Sequence, residues 1–232
     1  MGQTGFLKTR VWREAPYQTC LEEMRQFTIG REPDTPDQLW LVEHPAVFTL
    51  GLAADHRHVL KVGDTPIVQT DRGGEVTFHG PGQLVVYPLI NLRRRGLFVK
   101  ELVYRIEQSI IDLLQHYGLS SAHRMPGAPG IYLQTGSQPA AQPPQSDLSD
   151  SVPSFAGKSK IAALGLKVKN GCAYHGYAIN IQMDLSAFAG INPCGYPGLQ
   201  TTDLATMGVT KTWSEVATDA AHCLHLALTK PL

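Results

Sequence analysis

Residues 72–92 read RGGEVTFHGPGQLVVYPLINL, a glycine-rich turn that opens into an apolar strand. Any fold containing this run must bury the strand, predicted over residues 83–89 and bounded by Pro88, and must give the turn a close neighbour. Gly73, Gly74, Gly80 and Gly82 let the main chain approach another surface or take positive φ, and Pro81 stiffens the turn between them. Glycines alone describe a tight turn between strands. Arg72 and His79 at the two ends, with Thr77 between them, make the segment a candidate binding wall.

Apolar periodicity places other elements around it. Tyr17, Leu21 and Met24 recur at helical spacing in residues 16–27, and Leu102, Ile106, Ile110 and Leu113 mark a long helix over 97–117, stopped by Gly118. Residues 38–43, 47–50 and 67–70 read as short strands, the first two separated by the breaker His44-Pro45. A short strand over 131–133 runs into a segment rich in Pro, Ser, Gln and Ala, so residues 136–157 are expected to be a disordered surface insertion. Strands over 161–168 and 173–181 flank Asn170-Gly171, a pair suited to a hairpin turn. An irregular stretch over 188–198 and a closing helix over 213–228 complete the chain. Meanders mixed with a few helices indicate an α+β fold, with a mixed or antiparallel sheet flanked by helices. Residues 1–232 are expected to form one catalytic domain.

Twenty basic and twenty acidic residues cancel, so no global field draws in nucleic acid or an anionic membrane. The start lacks an apolar core of signal-peptide length, and no run is long enough to span a bilayer. The expectation is a soluble cytoplasmic monomer. Cys20, Cys172, Cys194 and Cys223 contain no CxxC pair, which argues against a zinc cluster or a disulfide framework. No metal and no cofactor are expected.

Of the four thiols, Cys194 stands out. It lies between Pro193 and Gly195 in INPCGYPG, where a side chain can be aimed at a cleft. Cys20 and Cys223 fall on amphipathic helices as fillers. A nucleophilic cysteine needs a cation to stabilise its thiolate or a base to remove its proton. Lys160, at the mouth of the strand IAALGL, is one candidate partner, and a histidine from the HG pairs at His79 or His175 is another. His222 and His225, three apart on the last helix, lack a third ligand. Arg93, Arg94, Arg95 and Lys100 form a basic run that suits a solvated face or an acidic carrier.

Taken in order, HPAVFTLG, RGGEVTFHGPGQLVVYPL, KIAALGLKV, YHGYAINI and INPCGY resemble the octanoyl-[acyl-carrier-protein]:protein N-octanoyltransferases of lipoate biosynthesis over nearly the whole chain. That resemblance implies a fold like the catalytic domain of biotin and lipoate protein ligases. It implies an acyl-thioester nucleophile at Cys194, activated by Lys160. The implied substrate contacts fall on Arg72, Gly73, Gly74, Glu75, Val76, Thr77, Phe78 and His79, on Ala163, Leu164 and Gly165, and on Gly176, Tyr177 and Ala178, with His175 as a supporting residue. The implied donor is octanoyl-acyl carrier protein. The implied acceptors are lipoyl domains of 2-oxoacid dehydrogenase E2 subunits and the glycine cleavage H protein. Exchange of one thioester for another needs no ATP, and aminolysis of the acyl-enzyme is downhill. Backbone N–H groups near Gly165 or Gly195 are candidates to stabilise the oxyanion. The chain departs from the family in one place: the family passes from a GVWV-like strand to its lysine by a short connection, whereas GIYL is followed here by the insertion. Competing readings are an ATP-dependent lipoate ligase or a lipoyl/octanoyl amidotransferase of the same fold, and a non-catalytic acyl-carrier-binding module.

Overall fold

The computed structural model describes residues 7–136 and 153–229. Its elements in chain order are β1 (Lys8–Trp12), α1 (Tyr17–Ile29), β2 (Gln38–Val42), β3 (Val47–Leu50), β4 (Ile67–Gln69), β5 (Val76–His79), β6 (Gln83–Asn91), α2 (Leu92–Arg95), α3 (Val99–His116), β7 (His123–Met125), β8 (Ala128–Gln134), β9 (Lys158–Lys169), β10 (Cys172–Asn180), β11 (Gln200–Thr201) and α4 (Trp213–Thr229). The large sheet runs β1-β2-β6-β10-β9-β8-β7, with β11 beside β9, and a small sheet runs β4-β3-β5. Most pairings are antiparallel, while β1 with β2, β3 with β4 and β11 with β9 are parallel. The architecture is therefore a mixed sheet flanked by helices, as the sequence implied.

Side chains alternate across β6, and both faces of this central strand are covered. Leu84, Val86 and Ile90 pack with Leu102, Ile106 and Ile110 of α3 and Val216 and Leu224 of α4. Val85, Tyr87 and Leu89 pack on the other face with Tyr17, Leu21 and Met24 of α1. The small sheet carries its own cluster, in which Phe48, Leu50, Val76 and Phe78 meet Phe188 and Ile191. Cutting a core side chain such as Ile106 to alanine is worth about 2–5 kcal/mol at a site of this kind. Among the described residues, no helix is long and apolar enough to cross a membrane.

Several boundaries differ from the sequence reading. Pro88 does not bound β6, which continues through it to Asn91. The neighbouring strand explains how a proline sits inside a sheet. The β6–β10 register is the same at Ala173↔Ile90 and Tyr177↔Val86, with no paired residues between. In that gap His175 takes φ 58°, and a Cβ on Gly176 would fall 2.7 Å from Pro88 Cδ. The missing N–H of Pro88 and the bare Gly176 thus make one local opening in the ladder. β1 and β7 lacked a periodic signal, and β5 emerges inside what the sequence presented as a turn. The Asn170-Gly171 hairpin forms as expected, with φ of 54° and 77°.

The expected insertion needs a correction at its end. Residues 137–152 lie outside the described residues, but Phe155 and Gly157 are tied to the fold. Phe155 stacks against Tyr132 and Tyr196, with ring centroids 5.7 and 4.9 Å away, and Gly157 O accepts from Thr135 N and Gly136 N.

Candidate active site

The small sheet lies over β9 and β10 and leaves a cleft of about 490 Å³ between them. Two glycines paired across the strands, Gly165 and Gly176, line its floor. A Cβ on Gly165 would lie 2.6 Å from Gly73 O, and one on Gly176 would overlap Val86 O. Glycine at 165 lets the Arg72 segment rest on the sheet, where Gly73 N donates to Leu166 O at 2.9 Å, and glycine at 176 lets β10 lie close against β6. Arg72 is buried, and its guanidinium donates to Thr49 O, Thr49 Oγ1, Gly73 O and Glu75 O. Its hydrogen bonds hold the wall in shape.

Cys194 stands at one end of this cleft, in a 3-10 turn over Pro193–Gly195. It takes φ 57°, a conformation a side chain adopts only under constraint, and Gly195 follows at 78°. The turn is pinned by Gly195 N donating to Asn192 O at 3.0 Å. Lys160, 4% exposed, reaches the thiol beside a small crevice that Cys194 also borders. Lys160 Nζ lies 2.8 Å from Cys194 Sγ and 2.7 Å from Pro129 O, and 5.2 Å from the centroid of the Tyr132 ring. The hydrogen-bond partner of the thiol is thus the lysine, with neither His79 nor His175 in that place.

The two histidines belong to the rest of the cleft. His79 Nδ1 bonds Gln83 Oε1 at 2.7 Å, and because Gln83 Nε2 donates to Phe78 O and Asn180 Oδ1, the imidazole is the donor. Its ring stacks on Tyr17, 5.7 Å between centroids, and lies 5.9 Å from His44. His44 Nδ1 meets Ala15 O at 2.7 Å and Nε2 meets the Tyr87 hydroxyl at 2.8 Å, so a neutral ring satisfies both contacts. Burial pulls the pKa of His44 down to about 4 and that of His79 to about 3, and it pushes Tyr17 up to about 12. Tyr17, His79, Tyr87 and Val85 border the cleft, with His44 behind them as the hydrogen-bond partner of Tyr87. His175 Nε2 bonds Asp71 Oδ1 at 2.9 Å, and Asp71 also takes hydrogen bonds from the Tyr174 hydroxyl and Arg25. Burial raises the Asp71 pKa, but these three hydrogen bonds outweigh it and hold the carboxylate ionised. Burial keeps His175 neutral against the pull of Asp71.

Nearly all of the sequence-predicted wall borders the cleft: Arg72, Gly74, Glu75, Val76, Thr77 and His79, Ala163 to Gly165, and His175 to Ala178. Gly73 and Phe78 do not. Gly73 faces Leu166, and Phe78 points away to stack on Phe48 and Phe188. Sequence reasoning missed Tyr17, Tyr87, His44 and Asp71. Tyr17 was visible only as a core position of α1, and His44 only as a strand breaker. The basic run is also not simply a solvated face: Arg94 and Arg95 join Arg31 around the buried carboxylate of Asp37. Cys20 is a buried filler whose thiol is pushed up to about 12 by burial.

A thiol paired with an ammonium, at the end of a narrow cleft lined largely by apolar and aromatic groups, can take an acyl group from a thioester and pass it on. The family model of the lipoyl protein ligase A/B catalytic domain matches residues 16–222. An octanoyltransferase of Variovorax paradoxus is 53% identical over 213 residues, covering 88% of this chain and 89% of its own. That of Paraburkholderia xenovorans is 54% identical over 215 residues, covering 92% and 83%. Among solved structures, a bipartite lipoate protein ligase from Thermoplasma acidophilum superposes with TM-score 0.66 at 13% identity, covering 96% of this chain and 84% of the other. A biotin protein ligase from Aquifex aeolicus gives 0.51 at 9%, covering 96% and 71%. Likeness at these identities concerns the fold.

Proposed function

The chain belongs to the lipoyl protein ligase A/B catalytic domain family, and from that premise we propose that it is an octanoyltransferase that makes the acyl amide of lipoyl domains by way of a thioester on Cys194. The observation that carries this reading is the 2.8 Å contact between Lys160 Nζ and Cys194 Sγ at the end of the cleft. The relatives at 53% and 54% identity are octanoyltransferases, whereas the two ligases named above share the fold at 13% and 9% identity.

The chemistry follows from the pair. In this reading Cys194 reacts as a thiolate with the charged Lys160 beside it. The Cys194 thiolate attacks the carbonyl carbon of octanoyl-carrier protein, the new S–C bond forms, and the bond to the pantetheine sulfur breaks. That departing thiolate takes a proton from Lys160, which is left neutral. The unprotonated amine of the acceptor lysine, having released its own extra proton to solvent, then attacks the acyl-enzyme. Its C–N bond forms as the C–S bond breaks, and the proton lost by the nitrogen returns to Lys160. Thiolate and ammonium are regenerated, and no nucleotide is consumed. The alkyl tail lies along the cleft toward Tyr17 and Tyr87, where burial contributes about 0.8 kcal/mol per methylene. A protein donor and a protein acceptor of this kind suit an enzyme that works in the cytoplasm.

Incubation with octanoyl-carrier protein in the absence of ATP, followed by intact mass measurement, tests this. An octanoyl adduct absent from Cys194→Ser is expected. A requirement for ATP would point to a ligase instead, and no adduct under either condition to a binding module.

A further inference from the structure

The two substrates of this transfer differ in charge at the reacting end. The donor thioester is neutral there, and the acceptor lysine arrives as an ammonium. A site serving both needs an anion near the thiol for the second arrival. Glu75 is the carboxylate that borders the cleft together with Cys194. Its side chain packs against the backbone directly after the nucleophile: a Cβ on Gly195 would be 3.2 Å from Glu75 Cγ and 3.5 Å from Cδ. The backbone N–H of Asp55 donates to Oε2 at 2.9 Å and fixes the rotamer. Among the described residues, Glu75 forms no ion pair.

The nearby cations are engaged elsewhere. Arg72 donates to Thr49, Gly73 and Glu75 backbone oxygen, Lys160 to Cys194 and Pro129 O, and Arg57 to Asp55. His58 has Nδ1 3.3 Å from Asn192 Nδ2, and its Nε2 would come 3.4 Å from a Cβ on Gly195, beside the Glu75 side chain. A half-buried carboxylate with an unused oxygen, beside a nucleophile whose second substrate is a cation, is a receptor for that cation.

We infer that Glu75 receives the lysine ammonium of the acceptor domain and holds it against the acyl-enzyme until it loses its proton and attacks. This rests on the octanoyl-transfer reading and names the group that recognises its second substrate. The ammonium docks on Glu75, releases a proton to solvent, and the free amine forms the C–N bond while Lys160 takes the remaining proton as the C–S bond breaks.

The test separates the half-reactions. Native protein is first acylated with octanoyl-carrier protein and weighed; failure to form the adduct would sink the transfer reading itself and is seen before any variant is made. Acyl-enzymes of the native protein and of Glu75→Gln, which keeps an oxygen for Asp55 N–H, are then discharged with a lipoyl domain and, separately, with hydroxylamine, which is neutral. The expected result is a loss with the lysine acceptor about tenfold larger than the loss with hydroxylamine. It should show as a higher acceptor concentration at half-maximal rate, and Glu75→Asp should recover part of it. Equal losses with the two nucleophiles, or an unchanged dependence on acceptor concentration, would overturn the inference.

Discussion

A Cβ on Gly130 would lie 2.6 Å from Lys160 Cε and 3.0 Å from its Nζ, so a bare position on β8 is what gives the ammonium room to reach Cys194. Gly130 also holds φ 121°, a backbone conformation closed to side chains. Gly130→Ala should therefore cost about 2–3 kcal/mol of stability and displace the lysine. The expected result is a folded but destabilised protein whose acyl-enzyme forms more than about tenfold slower. Normal acylation in a folded variant would contradict the placement.

Removing the lysine itself should act on the thiol directly. Lys160→Ala takes away a charge-assisted hydrogen bond, and iodoacetamide should modify Cys194 about tenfold or more slowly at neutral pH. Peptide mapping keeps the readout at Cys194 and away from Cys223, which is half-exposed; Cys20 and Cys172 are buried. Equal alkylation rates in the two proteins would remove Lys160 from the activation of the thiol.

Ala178 sits in the cleft wall and packs with Tyr17, Val85 and Tyr87. Its replacement by leucine fills space that the alkyl tail is proposed to occupy, at about 1–3 kcal/mol of overpacking cost. Transfer should shift toward hexanoyl and butyryl thioesters, read from competition between acyl carriers. An unaltered octanoyl preference would place the tail elsewhere.

The buried histidines set a pH dependence of stability. His44 and His79 are held by burial near pKa 4 and 3, whereas in the unfolded chain they titrate near about 6.5. Below that value the unfolded chain binds protons that the folded chain refuses. Stability is then fully present above about pH 6.5 and falls by about 1.4 kcal/mol per pH unit for each histidine, until the folded groups protonate near 4 and 3. Urea unfolding at pH 7, 6 and 5 should show the decline, and a flat profile would count against neutral burial.

The insertion should be dispensable only in part. Thr135 N and Gly136 N both donate to Gly157 O, so the ends of the hairpin are already joined. Replacing residues 137–152 by a short turn should leave acyl-enzyme formation within about twofold. Extending the deletion through Phe155 removes its packing on Tyr132, the ring beside Lys160, and on Tyr196. That longer deletion should slow acylation clearly more.

Much of this was legible in the chain. Alternation and helical spacing located β2, β6, β9, β10, α1, α3 and α4, because those elements bury one or both faces in a regular period. β1 and β7 escaped because their residues are mostly exposed or half-exposed, and β5 because its glycine flanks read as a turn. Pro88 inside β6 could not be foreseen, since its tolerance depends on Gly176 in another strand. At the site, Arg72, Thr77 and His79 stood out from the residues themselves, and the rest of the glycine-rich motifs came from the resemblance. Tyr17 and His44 were not, because a cleft-lining tyrosine on a helix and a buried histidine before a proline look locally like a core position and a turn.

The amino-acid order supplies the groups: a cysteine free of helix or strand periodicity, a lysine at a strand mouth, and glycines where backbones must approach. Tertiary structure decided which of them meet. Lys160 and Cys194 are 34 residues apart, and their contact depends on the register of β8 against β9, on the positive φ of Cys194 and on the empty side of Gly130. No local pattern encodes such a distance, because it is set by the packing of strands remote in sequence.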